Sequence, residues 1–291
     1  MNKNLYIDSL IISICFLMLI LINKYFVTLK GELKMIKKFN NEFNMLEYIG
    51  NDYYKCPYFY MDYKKYGTID NKIKIFYQIV DNEVKLAMLN YSTSLHIYSK
   101  KLDCDYKELA EFINQNKYKS IFGEKRIIKK LKPFMMNYKC EYGYVRKIDS
   151  NISYDDKDVE LATKKDLKEI ADLVMLDDDL ATSYDKDELF RQLKERYAQK
   201  FSRNYIIKNN NKIVAHVCTN GEIDKFAIIS LVIVHPNHRR KGLAKKLIEK
   251  MVYDLASEGK EIYLINYTDI SSKLYEKLGF EAIEKWGKLY L

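Results

Sequence analysis

Apolar and polar positions alternate along this chain in two rhythms, and the pair of rhythms occurs twice. Residues 73–80 are rich in β-branched and aromatic side chains and read as a strand. Asp81-Asn82 marks a turn, and 84–89 alternates well enough to pair back as a hairpin. Residues 95–98 continue the strand pattern. The period then lengthens. Leu109, Phe112 and Ile113 share one face of a helix over 106–114, and Ile127, Ile128 and Leu131 mark a second over 124–131. A polar, acidic stretch at 151–157 reads as a connector.

The second series begins with a strand at 159–162. A helix follows over 163–176, with Thr163 as its cap. Asp177-Asp178-Asp179 ends it, and a second helix covers 185–200. Residues 204–208 and 212–219 flank Asn209-Asn210-Asn211 and predict a hairpin. Residues 227–234 are apolar on both faces, as in a central strand. Leu243, Leu247, Ile248, Met251 and Leu255 form one helical face. A strand at 261–266, a short helix at 271–278 closed by Gly279, and a hairpin from 281–284 and 288–291 complete the chain. The fold class expected is α/β with a mixed α+β sheet. Its two folded units are 35–150 and 157–291.

Composition narrows the function classes. The 291 residues give room for two domains, and 48% hydrophobic content supplies a core. The net charge of +9 invites a nucleic-acid reading. The charge is spread along the chain, interleaved with 40 acidic residues, and accompanied by the Lys, Asn, Ile and Tyr expected of an A/T-rich coding sequence. A solvated surface accounts for it, and no nucleic-acid-binding signature is present. Cys15, Cys56, Cys104, Cys140 and Cys218 are scattered, as suits a reducing cytosol. With His96, His216, His235 and His238 they form no metal motif. His216 and Cys218 share a face of one strand and are expected in a core or a pocket wall.

Residues 9–22 are apolar and uncharged, and Lys24, Lys30, Lys34, Lys37 and Lys38 follow them. Two readings stay open for 1–34. One is a membrane anchor, with the rest of the chain facing the cytoplasm. The other is a misplaced start. Lys30-Gly31-Glu32 can be encoded by a ribosome-binding sequence, with Met35 at a suitable distance downstream. Both leave the folded units on the cytoplasmic side.

The chemistry concentrates after the central strand. His235-Pro236-Asn237-His238-Arg239-Arg240-Lys241-Gly242-Leu243-Ala244 is a short cationic turn between a strand and a helix. Such a turn can hold phosphate. The helix start offers unpaired N–H groups, and glycine lets the backbone approach a ligand. It is neither a P-loop nor a dinucleotide loop. Arg239-x-x-Gly242-x-Ala244 resembles the pyrophosphate loop of the GCN5-related N-acetyltransferases. Leu274-Tyr275-Glu276-Lys277-Leu278-Gly279-Phe280 resembles the segment that closes the same family's fold, in the right order and spacing.

The resemblance implies acetyl-CoA as co-substrate and a primary amine as acceptor. It implies that the backbone of Val232, Ile233 and Val234 holds the pantetheine and the developing oxyanion. Arg239, Arg240, Lys241, Gly242, Leu243 and Ala244 would bind the pyrophosphate, and Asn266 joins the cofactor-binding set. Tyr275 matches the general acid, whose alternative role is packing. No acid stands on the central strand, so Ser230 and Glu222 are the candidates to position water or act as base. His216 and Asp224 are near in sequence too. An amine that arrives neutral needs no base. The 176–184 loop falls where the family contacts its acceptor. The first unit resembles the degenerate half of two-domain bacterial members. It has no pyrophosphate loop, and Gly123 is followed by an opposing Glu124. Tyr53, Tyr54, Tyr58, Phe59, Tyr60 and Tyr63 read as packing or as an acceptor groove. Two rival functions stand beside catalysis. One is a non-catalytic acyl-CoA sensor. The other is a membrane-anchored acyltransferase acting on envelope precursors, which requires 9–22 to be a real anchor.

Overall fold

The computed structural model describes residues 18, 35–67, 71–149, 154, 158–177, 180–181 and 185–291. The anchor-or-start question over 1–34 therefore lies outside the described residues except for Met18, as does the 151–157 connector except for Tyr154. Among the described residues, no helix is long and apolar enough to cross a membrane.

The N-terminal half contains β1 (Ile36–Lys38), α1 (Met45–Ile49), α2 (Pro57–Tyr66), β2 (Ile73–Val80), β3 (Glu83–Tyr91), β4 (Ser94–Tyr98), α3 (Tyr106–Asn116), β5 (Ser120–Glu124), α4 (Lys125–Leu131) and β6 (Lys139–Ile148). The C-terminal half contains β7 (Glu160–Leu161), α5 (Leu167–Val174), α6 (Lys186–Ala198), β8 (Asn204–Asn209), β9 (Lys212–Ile223), β10 (Phe226–Val234), α7 (Leu243–Ser257), β11 (Glu261–Asn266), α8 (Asp269–Lys277) and β12 (Glu281–Tyr290). Both predicted hairpin turns form as expected. Asp81 and Asn82 have φ of 51° and 62°, and Asn210 and Asn211 have 49° and 60°. Positive φ at both central residues matches the right-handed twist of the flanking strands. The predicted Thr163 cap is reversed. Thr163 donates N–H and Oγ1–H to Asp166 Oδ2, both at 2.7 Å, and α5 starts only at Leu167.

All the strands share one sheet, in the order β1-β2-β3-β4-β5-β12-β6-β11-β10-β9-β8-β7. The expected C-terminal hairpin does not form. Residues 281–290 are a single strand with a bulge between Ala282 and Glu284. A hairpin would pair the chain's end with itself. Instead β12 crosses into the first half and lies between β5 and β6, antiparallel to both. In return, β6 pairs with β11 of the second half, from Ile262↔Ile148 to Asn266↔Tyr144. Each half thus receives a strand from the other, and the twelve strands are continuous.

Helices cover both faces. In the second half, α7 buries Leu247, Ile248, Met251 and Leu255 against Ala227, Ile229, Ile262 and Leu264. On the opposite face, α5 and α6 bury Leu167, Ile170 and Leu193 against Ile206 and Ile233. In the first half, α3 and α4 pack on Leu86, Met88, Leu95 and Ile97, while α1 and α2 pack on Ile75, Ala87 and Leu89. Met61 of α2 and Phe201, Phe226, Tyr263 and Trp286 of the second half share a further cluster that joins the two.

Candidate active site

The parallel strands β10 and β11 pair only from Phe226↔Glu261 to Ile229↔Leu264. Beyond that point they part. Ile265 and Asn266 keep only β6 as a strand partner, and the rest of β10 stays with β9. A parallel pair that opens leaves backbone groups of both strands free of each other in an otherwise closed sheet. A bulge deepens the opening. Ser230 pairs with Cys218 and Ile233 with His216, so Leu231 and Val232 together face one residue of β9. Leu231 carries φ of 47°, uncommon for a branched side chain.

His216 holds that bulge. It is fully buried, and burial pushes its pKa down to about 3 against a weak opposing pull from the Leu231 carbonyl. It is therefore neutral and has one N–H. Nδ1 donates to Leu231 O at 3.1 Å, and Nε2 lies 3.0 Å from the Asn204 amide. The amide orientation that satisfies both groups turns Asn204 Nδ2 toward Nε2, which also gives that otherwise unpartnered nitrogen an acceptor. This histidine is a structural pin, and its engaged nitrogens leave it no proton-transfer role. Cys218 is buried beside it, as the shared strand face predicts.

At the open end of β10, the loop reaches α7 through Gly242, which has φ of 79° and open space where a Cβ would stand. No side chain caps α7, so its first N–H groups are available. Arg240, Lys241 and Gly242 are exposed, and Leu243 and Ala244 are half-buried. Arg239 is partly committed. Its Nε donates to Val234 O at 3.1 Å, and its guanidinium lies 3.4 Å from Asp177. The cationic loop is thereby tied to the start of the acidic 177–179 run, of which residues 178 and 179 lie outside the described set. The corresponding helix of the first half, α3, is closed to an anion. Asp105 caps it, accepting from the N–H groups of Lys107 and Glu108. Gly123 sits inside β5 and belongs to no phosphate loop.

Tyr275 lies on α8, 8% exposed, with its ring against Phe280. Its hydroxyl has no hydrogen-bond partner among the described residues. Burial pushes its pKa up to about 12, opposed by the charge of Arg146. Asn266 is placed differently from the expectation of direct cofactor contact. Its Oδ1 accepts from Arg146 Nε at 2.8 Å, and its Nδ2 donates to Ser272 Oγ at 2.7 Å. The side chain is consumed in seating the start of α8. Glu222 is withdrawn as a base. It stands opposite Ala227, at the closed end of β10. Burial works to raise its pKa, but Arg203, Lys260 and Thr219 hold it below the usual range, each at 2.7–2.8 Å. Ser230 stays half-buried at the mouth of the bulge. Tyr53 and Tyr54 line a cavity of about 470 Å³ with Glu261 and Tyr263, at the end of β11 opposite Asn266, so that part of the tyrosine cluster does not reach the opening. Arg146 was not singled out by sequence. It is a lone arginine in an unremarkable strand, and only the exchange of β6 brings it here.

An opened parallel pair, a bulged central strand and an uncapped helix start behind a glycine are the features of an acetyltransferase-class fold. Residues 170–280 match the model of the acetyltransferase (GNAT) family, and this chain carries a GNAT acetyltransferase domain. The solved structures it resembles extend the likeness through both halves. A Drosophila protein is 10% identical with a TM-score of 0.63, over 88% of this chain and 98% of that one. A GNAT-family acetyltransferase from Colwellia psychrerythraea is 13% identical with a TM-score of 0.53, over 88% and 99%. A tandem GNAT protein from the clavulanic acid biosynthesis pathway is 10% identical with a TM-score of 0.53, over 88% and 97%. At such identities the likeness is one of fold. No curated protein matches the chain.

Proposed function

We propose that this protein is an N-acetyltransferase that moves an acetyl group from acetyl-CoA to a primary amine by direct attack. The observation that carries the reading is the pairing of an opened β10–β11 with the uncapped start of α7 at Gly242. The pyrophosphate would sit on the α7 N–H groups and beside Arg240 and Lys241. The pantetheine would enter between the parted strands, along the backbone of Val232, Ile233 and Val234. The bulge frees Val232 to donate to the oxyanion that forms when a neutral amine adds to the thioester carbon. As the C–S bond breaks, the sulfur leaves with the electron pair and takes a proton. Tyr275, protonated at neutral pH, is the donor, while the nitrogen gives up its extra proton to water and the phenol is restored from solvent.

The first half is read as a degenerate acetyltransferase-like unit. It repeats the parallel β4–β5 pair and the following helix, but Asp105 occupies the helix start. The protein is placed on the cytoplasmic side, where acetyl-CoA is available. Thiol release from acetyl-CoA, followed against a panel of small amines and peptides, tests the activity. A second reading, a non-catalytic acyl-CoA sensor, draws on the withdrawal of Glu222 and His216 and on a β10 without any acid. Tight acetyl-CoA binding with no turnover on any amine would favour it.

A further inference from the structure

Arg146 belongs to the first half, yet it is 2% exposed inside the second. A buried guanidinium is costly unless its donors are met. Here they are met by groups around one helix. Nε donates to Asn266 Oδ1 at 2.8 Å, at the end of β11. One terminal nitrogen donates to Glu276 Oε1 at 2.8 Å, the residue after Tyr275. The other lies 3.3 Å from Phe280 O, just past the helix. The Phe280 N–H in turn bonds the Tyr275 carbonyl at 2.9 Å. Arginine can only donate, so Asn266 must present its oxygen to Arg146 and its NH₂ to the start of α8. There it meets Ser272 Oγ at 2.7 Å and, at longer range, Ser271 Oγ and the Thr268 carbonyl. Both ends of α8 are thus fixed from one side chain.

The strand that carries Arg146 is itself held in register. A Cβ at Gly143 would lie 2.0 Å from Asn266 O, so β6 passes the end of β11 in closer contact than any other residue allows. Arg146 is also the charge that opposes burial at the Tyr275 phenol.

We infer that Arg146, supplied across the exchanged strand, is the positioning residue that seats α8 and with it Tyr275 for proton delivery. This rests on the acyl-transfer reading above. The loop that binds pyrophosphate lies on other elements, so the effect belongs in kcat and not in cofactor affinity. The test is a double-mutant cycle in the full chain, with Arg146→Met, Tyr275→Phe and the pair, reading kcat and acetyl-CoA Kd. Arg146→Met is expected to lower kcat by about ten- to a hundredfold, as for a small misplacement of a reacting group. Its Kd should stay within about twofold of wild type, and the pair should be no slower than Tyr275→Phe alone. Arg146→Lys, which keeps the charge and part of the bonding, should recover part of the rate. If Arg146→Met does not fold, Arg146→Lys takes its place in the cycle. Multiplying rate losses, an unchanged kcat, or a loss confined to Kd would overturn the assignment. A wild-type rate in Tyr275→Phe would remove the acid and Arg146's role together. Absence of any turnover in the wild-type protein would strike the acyl-transfer reading before the variants were compared.

Discussion

Gly242→Glu separates stability from cofactor binding, because the same substitution costs little in the first and much in the second. Gly242 has φ of 79° and nothing within contact distance of an added Cβ. A non-glycine residue there clashes with nothing and bears only the left-handed strain, about 1–2 kcal/mol. The new carboxylate stands at the uncapped start of α7. Negative charge at that end stabilises the helix by about 0.3–1 kcal/mol. The net change in folding stability is therefore about 1 kcal/mol, a few degrees in Tm at most. Binding responds much more strongly. A unit charge held about 4 Å from a phosphate at an effective dielectric near 20 repels it by about 4 kcal/mol. That corresponds to a Kd raised about a thousandfold. Gly242→Ala, with strain but no charge, should weaken binding far less. Calorimetry with acetyl-CoA and with free CoA reads the affinities, and thermal denaturation without ligand reads the stability. A folded Gly242→Glu protein that binds acetyl-CoA as the wild type does would refute the assignment of this loop to pyrophosphate.

Gly143→Ala places a methyl 2.0 Å from the Asn266 carbonyl oxygen, a contact with backbone that no rotamer relieves. It should destabilise the protein by about 1–3 kcal/mol or more, measured by urea denaturation, and lower kcat with it. Stability should also fall on mild acidification. His96 and His216 are neutral in the fold, both held near pKa 3 by burial against 6.5 when free. The unfolded chain binds their protons first, so their contribution is whole above pH 6.5 and is lost as the pH drops towards 3, at about 1.4 kcal/mol per unit for each. Asp62 works the other way. Burial raises it to about 6, so the folded state takes up its proton first and offsets about one histidine below pH 6. Unfolding free energies at pH 7, 6 and 5 that show no fall would contradict this. Intact mass of protein expressed from native upstream DNA decides between the two readings of 1–34: a species beginning at Met35 would support the misplaced start, and a membrane-bound chain retaining 9–22 would support the anchor.

What the sequence made legible was local. Two Asn- and Asp-rich turns, the helix faces of α3, α4 and α7, and the cationic loop each follow from residue types within a dozen positions. The same holds for Tyr275 and the closing Gly279, whose φ is 89°. What it hid was pairing at long range. Residues 281–284 and 288–291 have the alternation of two short strands, and nothing nearby says that they are one strand whose partners are β5 and β6. Strand register is fixed by tertiary partners, so a pattern of period 2 gives the faces but not the neighbours. The error at Glu222 has the same root. A carboxylate near the central strand in sequence looks available until Arg203 and Lys260 arrive from the segments just before β8 and just after α7. Arg146 shows the reverse, an arginine that looks like surface until the exchange buries it.

The two halves also show how little chemistry separates an open helix start from a closed one. Both place a helix after the first strand of a parallel pair, β10 before α7 and β4 before α3. In the second half the helix start is a glycine with open space and exposed cations beside it. In the first it is Asp105, whose carboxylate takes the N–H groups of Lys107 and Glu108. A bound carboxylate satisfies a helix N-terminus as a phosphate would, so one Asp both stabilises α3 and excludes the ligand. The first half still bears on the opening in the second. What it supplies is geometry: β6 pairs with β11 along the edge away from β10, with Gly143 and Arg146 set three residues apart on that strand. One wall of the opening is β11, and β11 is held along its far edge by a strand of the other half.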